Sequence, residues 1–544
     1  MKFFYSILLT LSGFFNITDS RANFRQAIQY RPRFLKKIWA RCLRRSQILV
    51  EARQLPSNEL ALGFFIPILS EYLNATPKTF WLIRGGLFRM YIEKLRNRFS
   101  FSYYYSAANS SIFTSSVSNL YLTQAKTLIE QNLSPEEFQQ IEIKEVRIGD
   151  LIYDTYLNRF QVATLDFTDS RLIYLVAEFL EYLQKIEKYF RKNKVSAVCV
   201  SHSVYLYALP ARVALKFNAL VFQINAESIF RITNEYIHSH TDTKNYPKEF
   251  KTLPVEIRDL GLIIAEKNLI RRFNGEIGVD MHYSTASAYR IKSGYGRVIS
   301  ENNNVKILIA VHDFYDSPHS YGDHFYPDFY LWLKALSRIA KESEYEWYIK
   351  THPDVVGIGQ EIITTLAEEN TRIKIVDAEI SHHELINQGI NFVLTVCGTI
   401  AMEYPTLGKI AINASVNNPH AAYRFSITPE NREEYEMLLR SLKDLRPNSE
   451  KTEIFEYYFM NNIYQLKSWI FADYEEMLTS LNGYRNSHSE KMFSYFISTS
   501  NKIAKESRDT AVLNFLKSGE IRLSRRHFEK NLDEFLIQLK KQNY

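Results

Sequence analysis

The sequence predicts an α/β chain with two parallel-sheet regions and a helical C-terminal extension. Three observations carry this expectation. Residues 305–445 repeatedly alternate short apolar runs with amphipathic stretches. Residues 195–225 contain a strand–helix–strand unit of βαβ length, which requires parallel strands. Beyond residue 446, charged and aromatic residues mix at helical spacing. The boundaries expected are 1–45 for an apolar and basic helical segment, 46–295 for a first Rossmann-like domain, 305–445 for a second, and 446–544 for the extension. A length of 544 residues exceeds one typical core and fits this division.

In the first region, "SQILVEA" reads as the opening strand and "ELALGFFIPILSEYL" as a helix. The polar stretch Ser100–Ser118 reads as a loop. "LIYLVAEFLEYLQKIEKYFRKNK" has helical periodicity and ends in bases, as a helix C-terminus favours. "VSAVCV" is a buried strand, "SHSVYLYALPARVALKFN" a loop and helix, and "ALVFQIN" the next strand. "NEYIHSHTDTKN" reads as an exposed loop. The linker "SGYGRVISENNN" follows, rich in glycine and asparagine.

The second region is clearer. Strands are expected at "VKILIAV", "YEWYIKT", "RIKIVD", "INFVLTV" and "KIAINA", with helices between them. Ser381 is positioned to cap one helix. A doubly wound sheet follows. It lacks Gly-X-Gly-X-X-Gly, so a dinucleotide dehydrogenase is not supported.

The net charge of +7 is concentrated near the N-terminus. Between Arg21 and Arg53 basic residues dominate and Glu51 is the only acid. Interleaved Phe34, Leu35, Ile38, Trp39 and Leu43 suit an anionic membrane surface, and a solvated basic helix is the alternative. No nucleic-acid module accompanies these bases. "MKFFYSILLTLSGFF" is apolar but has no small-residue cleavage pattern after it, so an uncleaved buried or membrane-dipping helix is expected. No later run is long and apolar enough to span a bilayer. Cys42, Cys199 and Cys397 form no CxxC pair, and the latter two are expected buried and reduced, as in a reducing cytosol.

In an open parallel sheet, ligands bind beyond the carboxyl ends of strands. His312 and Asp313 follow one expected strand. Lys350, Thr351, His352 and Pro353 end another, with Lys350 pointing away from Thr351. Gly398 and Thr399 open a helix whose next turn carries Glu403, on the same face as Thr399. There a backbone can approach a phosphate closely, and the carboxylate can accept from ribose hydroxyls. Asn418, His420 and Arg424 follow the last strand. The set His312, Asp313, Asp316, His319, Asp323 and His324 has metal-ligand chemistry but no ligand spacing, so sugar or base recognition is the preferred reading. No Asp-X-Asp triplet occurs, so no bound metal or other cofactor is expected.

The stretches "HDFYDSPHSYG", "WYIKTHPD", "CGTIAMEYPTLGKIAINAS" and "NNPHAAYRF", and more faintly "VSHSVYLYALPARVALKFNALVF", resemble bacterial surface-polysaccharide and capsule-synthesis proteins of the glycosyltransferase-B type. The resemblance spans Val195 to Tyr435. It implies two Rossmann-like domains facing across a cleft, the second binding a nucleotide sugar and the first a polysaccharide or lipid-linked glycan acceptor. His352 and Pro353 would then form the His-Pro element of the donor site, and Gly398, Thr399 and Glu403 its phosphate and ribose element. Lys409 stands where the family often has proline. His202, at the corresponding rim of the first domain, is the candidate base, since neutral imidazole accepts protons near neutral pH.

The expected activity is therefore metal-independent sugar transfer, on the inner face of the cytoplasmic membrane. His202, His312 and Asp313 are the catalytic candidates. Lys350, His352, Pro353, Gly398, Thr399, Glu403, Asn418, His420 and Arg424 are the donor-binding candidates. A nucleotide-sugar epimerase or a polyol-phosphate transferase on the same fold, or a non-catalytic capsule-assembly scaffold, remain as alternatives.

Overall fold

The computed structural model describes residues 23–24, 26–27, 46–52, 55–85, 110–279, 287–291, 296–351, 358–448, 450–471, 473–499, 505–528 and 531–543. Two Rossmann-like α/β lobes face one another, the arrangement of the GT-B type. The first holds a sheet of β1 (Gln47–Glu51), β2 (Thr76–Arg84), β3 (Ser110–Ser115), β6 (Val195–Val200), β7 (Leu220–Ile224) and β8 (Ile229–Ile232), ordered β3-β2-β1-β6-β7-β8. A small hairpin of β4 (Glu142–Ile143) and β5 (Val146–Arg147) lies outside it. All pairs in the large sheet are parallel except β7 with β8. The second lobe holds β9 (Lys306–Ala310), β10 (Glu346–Lys350), β11 (Ile373–Val376), β12 (Phe392–Thr395) and β13 (Ile410–Asn413), all parallel and ordered β11-β10-β9-β12-β13.

Both sheets are covered on both faces, which is why their strands are continuous apolar runs rather than alternating ones. On one face of the first sheet lie the helices Gly149–Phe160, Ser170–Lys192 and Leu209–Lys216. On the other lies Pro56–Leu73, sandwiched between the sheet and Trp469, Phe471, Met492 and Phe515 of the extension. That position explains a helix apolar nearly all round. In the second lobe, Phe329–Glu342 buries Trp332, Leu333 and Leu336 against one face, and His382–Asn387 and Ile400–Thr406 cover the other. Ser381 caps the former reciprocally with Glu384, a capping box.

Two local expectations fail, and one strand is new. Part of the supposed loop Ser100–Ser118 is strand β3, a parallel edge strand on β2. Strand β8 was not anticipated, since "IFRI" is too short to signal itself. "NEYIHSHTDTKN" is not exposed throughout: His238, Ser239, Asp242 and Thr243 are buried, and Arg522 of the extension pairs with Asp242 at 2.7 Å. Residues 1–22 and 28–45, which carry the apolar run and most of the basic run, lie outside the described residues. Phe24 is described and packs edge-on to Phe493. Among the described residues, no helix is long and apolar enough to cross a membrane.

The lobes meet through a polar and partly buried seam. His319 Nδ1 lies 2.6 Å from Asp154 Oδ1, and its Nε2 lies 2.6 Å from Gln139 Oε1. Arg147 grips Asp323 through both carboxylate oxygens. Tyr153 and Thr164 donate to Asp328, at 2.5 and 2.7 Å. The loop after β9 is thereby fastened to the first lobe.

Candidate functional site

A reversal of strand order opens a crevice at the carboxyl edge of a parallel sheet. In the first sheet the reversal falls between β1 and β6. Glu51 ends β1 and Ser201-His202 follows β6. In the second it falls between β9 and β12. His312 lies just past β9, and Cys397-Gly398 follow β12. Each lobe thus places its polar rim residues at its own switch point.

In the second lobe the rim is tied together. His312 Nε2 lies 3.0 Å from Thr395 Oγ1, and the Val396 amide donates to the same nitrogen at 3.3 Å. The ring stacks on Phe329 with centroids 4.5 Å apart. The Gly398 amide donates to Thr395 Oγ1 at 3.1 Å. A Cβ on Gly398 would stand 2.7 Å from that oxygen, so glycine is required here for close approach. Gly398→Ala should therefore push the Thr395 hydroxyl away from His312, at about 1–3 kcal/mol. The measurement is melting temperature. Gly296→Ala, whose added carbon meets nothing within 4 Å, is the control and should leave it unchanged.

Asp313 is exposed and accepts the Tyr315 amide at 3.1 Å. Thr399 is the N-cap residue, yet its hydroxyl makes no cap bond and donates to Glu403 Oε1 at 3.2 Å. The shared face expected for these two residues is thus present. Glu403 itself is 4 % exposed. It accepts from Arg272 at 2.5 Å and from Tyr289 at 2.5 Å, so its hydrogen bonds run to the segment between the lobes. It is therefore not a solvated helix residue.

Lys350 is buried and its ammonium donates to the Ala378 carbonyl. Burial lowers its pKa to about 8, partly opposed by Asp377. Asn418 is an internal brace, donating to the Ser415 carbonyl at 2.7 Å and accepting the His420 amide at 2.8 Å. His420 is 1 % exposed, and among the described residues neither of its ring nitrogens has a hydrogen-bond partner. Burial drops its pKa to about 3, with Glu403 opposing. Arg424 points outward and pairs loosely with Glu453, at 3.4 Å. The structure therefore joins His312 with Gly398, and Thr399 with Glu403, but directs Asn418 inward and Arg424 to the surface. His352 and Pro353 lie outside the described residues.

The possible metal set does not converge. His319 goes to Asp154, Asp323 to Arg147, His324 to Ser415 at 2.6 Å and His312 to Thr395. Among the described residues, no group of three His, Cys, Asp or Glu side chains could hold a metal ion. Cys199 is buried as expected, whereas Cys397 is only half-buried.

In the first lobe, His202 is exposed and lines two cavities, of about 380 and 200 Å³. Its Nδ1 lies 2.7 Å from Ser201 Oγ. The Ser201 amide and hydroxyl both donate to Glu51 Oε2, at 2.7 and 2.8 Å. Burial raises the Glu51 pKa to about 7, against the lowering effect of the Ser201 bonds. Desolvation lowers that of His202, and Asp316 opposes it. The Asp316 carboxylate also acts on Cys397 in the second-lobe rim and accepts from Tyr205 in the first at 2.8 Å. One carboxylate therefore stands between the two switch points. Sequence reading had no place for Glu51 or Tyr205 in the site, although Glu51 ends a strand that was recognised.

No family model matches the chain, and no curated protein matches it. Solved structures similar to it include UDP-GlcNAc 2-epimerase from Neisseria meningitidis bound to UDP-GlcNAc, 12% identical, covering 76% of this chain and 96% of that one with a TM-score of 0.23. The same enzyme from Methanocaldococcus jannaschii is 13% identical, with coverages of 75% and 97% and a TM-score of 0.22. A glycosyltransferase from Rickettsia africae is 12% identical, with coverages of 77% and 94% and a TM-score of 0.23.

Proposed function

We propose that the chain is a nucleotide-sugar enzyme, a glycosyltransferase that moves a sugar from a nucleotide-sugar donor to a growing surface polysaccharide or lipid-linked glycan. The supporting observation is the pair of switch points, an imidazole with a buried carboxyl behind it in one lobe and the His312–Gly398 rim in the other, with Asp316 between them. In this reading His202 takes the proton of an acceptor hydroxyl, whose oxygen bonds to the anomeric carbon. The bond from that carbon to the phosphate oxygen breaks, and the nucleoside diphosphate departs on the second-lobe rim. His312, Gly398, Thr399 and Glu403 belong to that rim, with Lys350 behind it, and His352 and Pro353 are assigned to it from the sequence alone. The chain has no Asp-X-Asp triplet, so no divalent ion is assigned a role.

The Glu51 carboxyl favours one second reading. Epimerisation needs in-cleft acid–base carboxyls, and a carboxyl with a pKa near 7 serves proton transfer in both directions. Incubation of the purified chain with UDP-, GDP-, CDP- and CMP-linked sugars separates the two. Transfer only when a glycan acceptor is added supports the transferase. A new sugar epimer without acceptor supports the epimerase. Failure to bind any of the four donor classes would overturn both.

We also propose that the basic segment 21–53 holds the protein on an anionic membrane face. Each base near such a surface contributes about 1 kcal/mol. Replacing Arg41, Arg44 and Arg45 by Glu should release the chain from phosphatidylserine vesicles in a flotation assay, and unchanged flotation would count against the anchor.

A further inference from the structure

We infer that Glu51 and Ser201 are positioning residues for His202, fixing its ring with the proton on Nδ1 and leaving Nε2 as the proton acceptor at the cavity. Hydrogen-bond arithmetic leads there. Glu51 Oε2 receives two bonds from Ser201, one from the amide and one from the hydroxyl. Above its pKa of about 7 this group is a carboxylate and has no proton to return. The single Ser201 hydroxyl proton is therefore committed to Glu51, and the 2.7 Å contact between Ser201 Oγ and His202 Nδ1 must be filled by a proton on Nδ1. In a neutral imidazole, Nε2 then carries the lone pair. The chain of contacts runs from a buried carboxyl, through a half-buried hydroxyl, to an exposed ring. It sits at the β1/β6 switch point, where the fold opens a crevice.

The surroundings suit a hydroxyl-bearing guest. Trp81 is buried and lines the larger cavity, and its indole N–H has no hydrogen-bond partner among the described residues. Gln223 is buried and lines the smaller one, with its Oε1 unmatched among the described residues. A buried polar atom without a partner is costly, so an unmatched donor and an unmatched acceptor beside one imidazole mark a place where a polar ligand completes the bonding. Sugar hydroxyls supply both halves. Asp316, Tyr205 and Tyr207 also stand around the ring. None of them makes a hydrogen bond to the ring that would replace Ser201 at Nδ1.

The use of His202 as a base rests on the nucleotide-sugar reading, whereas the tautomer does not. The test is nitrogen NMR of the full chain with ¹⁵N-labelled histidine at pH 8, where Glu51 is mostly ionised. His202→Asn identifies the resonance by its disappearance. In the wild type, His202 should carry its proton on Nδ1. Ser201→Ala and Glu51→Ala should each lose that preference, and Ser201→Thr, which keeps the hydroxyl, should restore it. A wild-type ring protonated on Nε2, or a Ser201→Ala spectrum identical to wild type, would overturn the inference. Affinity for UDP-, GDP-, CDP- and CMP-linked sugars measured on the same samples keeps the two questions apart. Absent binding of all four with the expected tautomer would overturn the nucleotide-sugar reading and leave the positioning role intact.

Discussion

Glu403→Leu should lower the stability of the protein by about 3–5 kcal/mol, among the largest effects available from a single change. The side chain is 4 % exposed and holds Arg272 and Tyr289 from the segment that joins the lobes. Leucine fills the volume but removes the charge facing a largely buried guanidinium, whose side chain is only 15% exposed. The cost comes from losing two charge-assisted bonds, to Arg272 and to Tyr289, in a poorly solvated place. Glu403→Gln keeps the shape and one acceptor oxygen, so a smaller loss is expected. Thr399→Val deletes only the 3.2 Å bond and should cost about 1 kcal/mol. The order Leu, Gln, then Thr399→Val in melting temperature is the measurement, and equal melting for all three would refute the buried-pair account. UDP affinity measured on the Gln variant asks the separate question. A loss of binding larger than the loss of stability would show that the carboxylate also serves the donor.

This residue shows what a sequence can and cannot disclose. Its position one turn after Thr399 was legible, because helical spacing fixes it. Its partners were not, because Arg272 and Tyr289 lie more than a hundred positions away in the chain. The same holds for His312, Asp316, His319, Asp323 and His324. Closeness in sequence suggested one cluster, but the loop after β9 twists its side chains toward different lobes, and each finds a separate distant partner.

The second sheet was legible strand by strand, since strands covered on both faces read as apolar runs. Strand order was not, and it is the order that makes Glu51 and His202 neighbours. Glu51 stood out in the sequence only as the lone acid in a basic run. Its end-of-strand position became chemically meaningful only once β6 was seen to lie beside β1. The helical character of the extension was readable. Its packing on the Pro56–Leu73 helix was not, because an apolar helix face does not name what covers it.

His319→Leu should be as damaging as the loss of Glu403, and its effect should depend on pH. His319 is 1 % exposed at the seam between the lobes. Both ring nitrogens face acceptors, Asp154 Oδ1 on one side and Gln139 Oε1 on the other, so the bonding calls for a proton on each nitrogen. Burial disfavours that charged form, but the carboxylates of Asp154, Asp150 and Asp323 overcome it and raise the pKa above its ordinary 6.5. A histidine with a raised folded-state pKa stabilises fully below pH 6.5, and that contribution is lost as pH rises through the folded value. Wild type should therefore lose melting temperature as pH climbs above neutrality. His319→Leu should be less stable by about 3–5 kcal/mol at pH 6, because Asp154 is left buried without its partner. The gap should narrow at higher pH. His319→Gln can meet only part of the bonding and should fall between the two. The Arg147–Asp323 and Tyr153–Asp328 contacts remain in every variant, so the seam should loosen rather than part. Melting curves from pH 5.5 to 9 on the three proteins test this. A difference that is flat across the range would mean that His319 sits neutral in the seam, with its ring acting by packing alone.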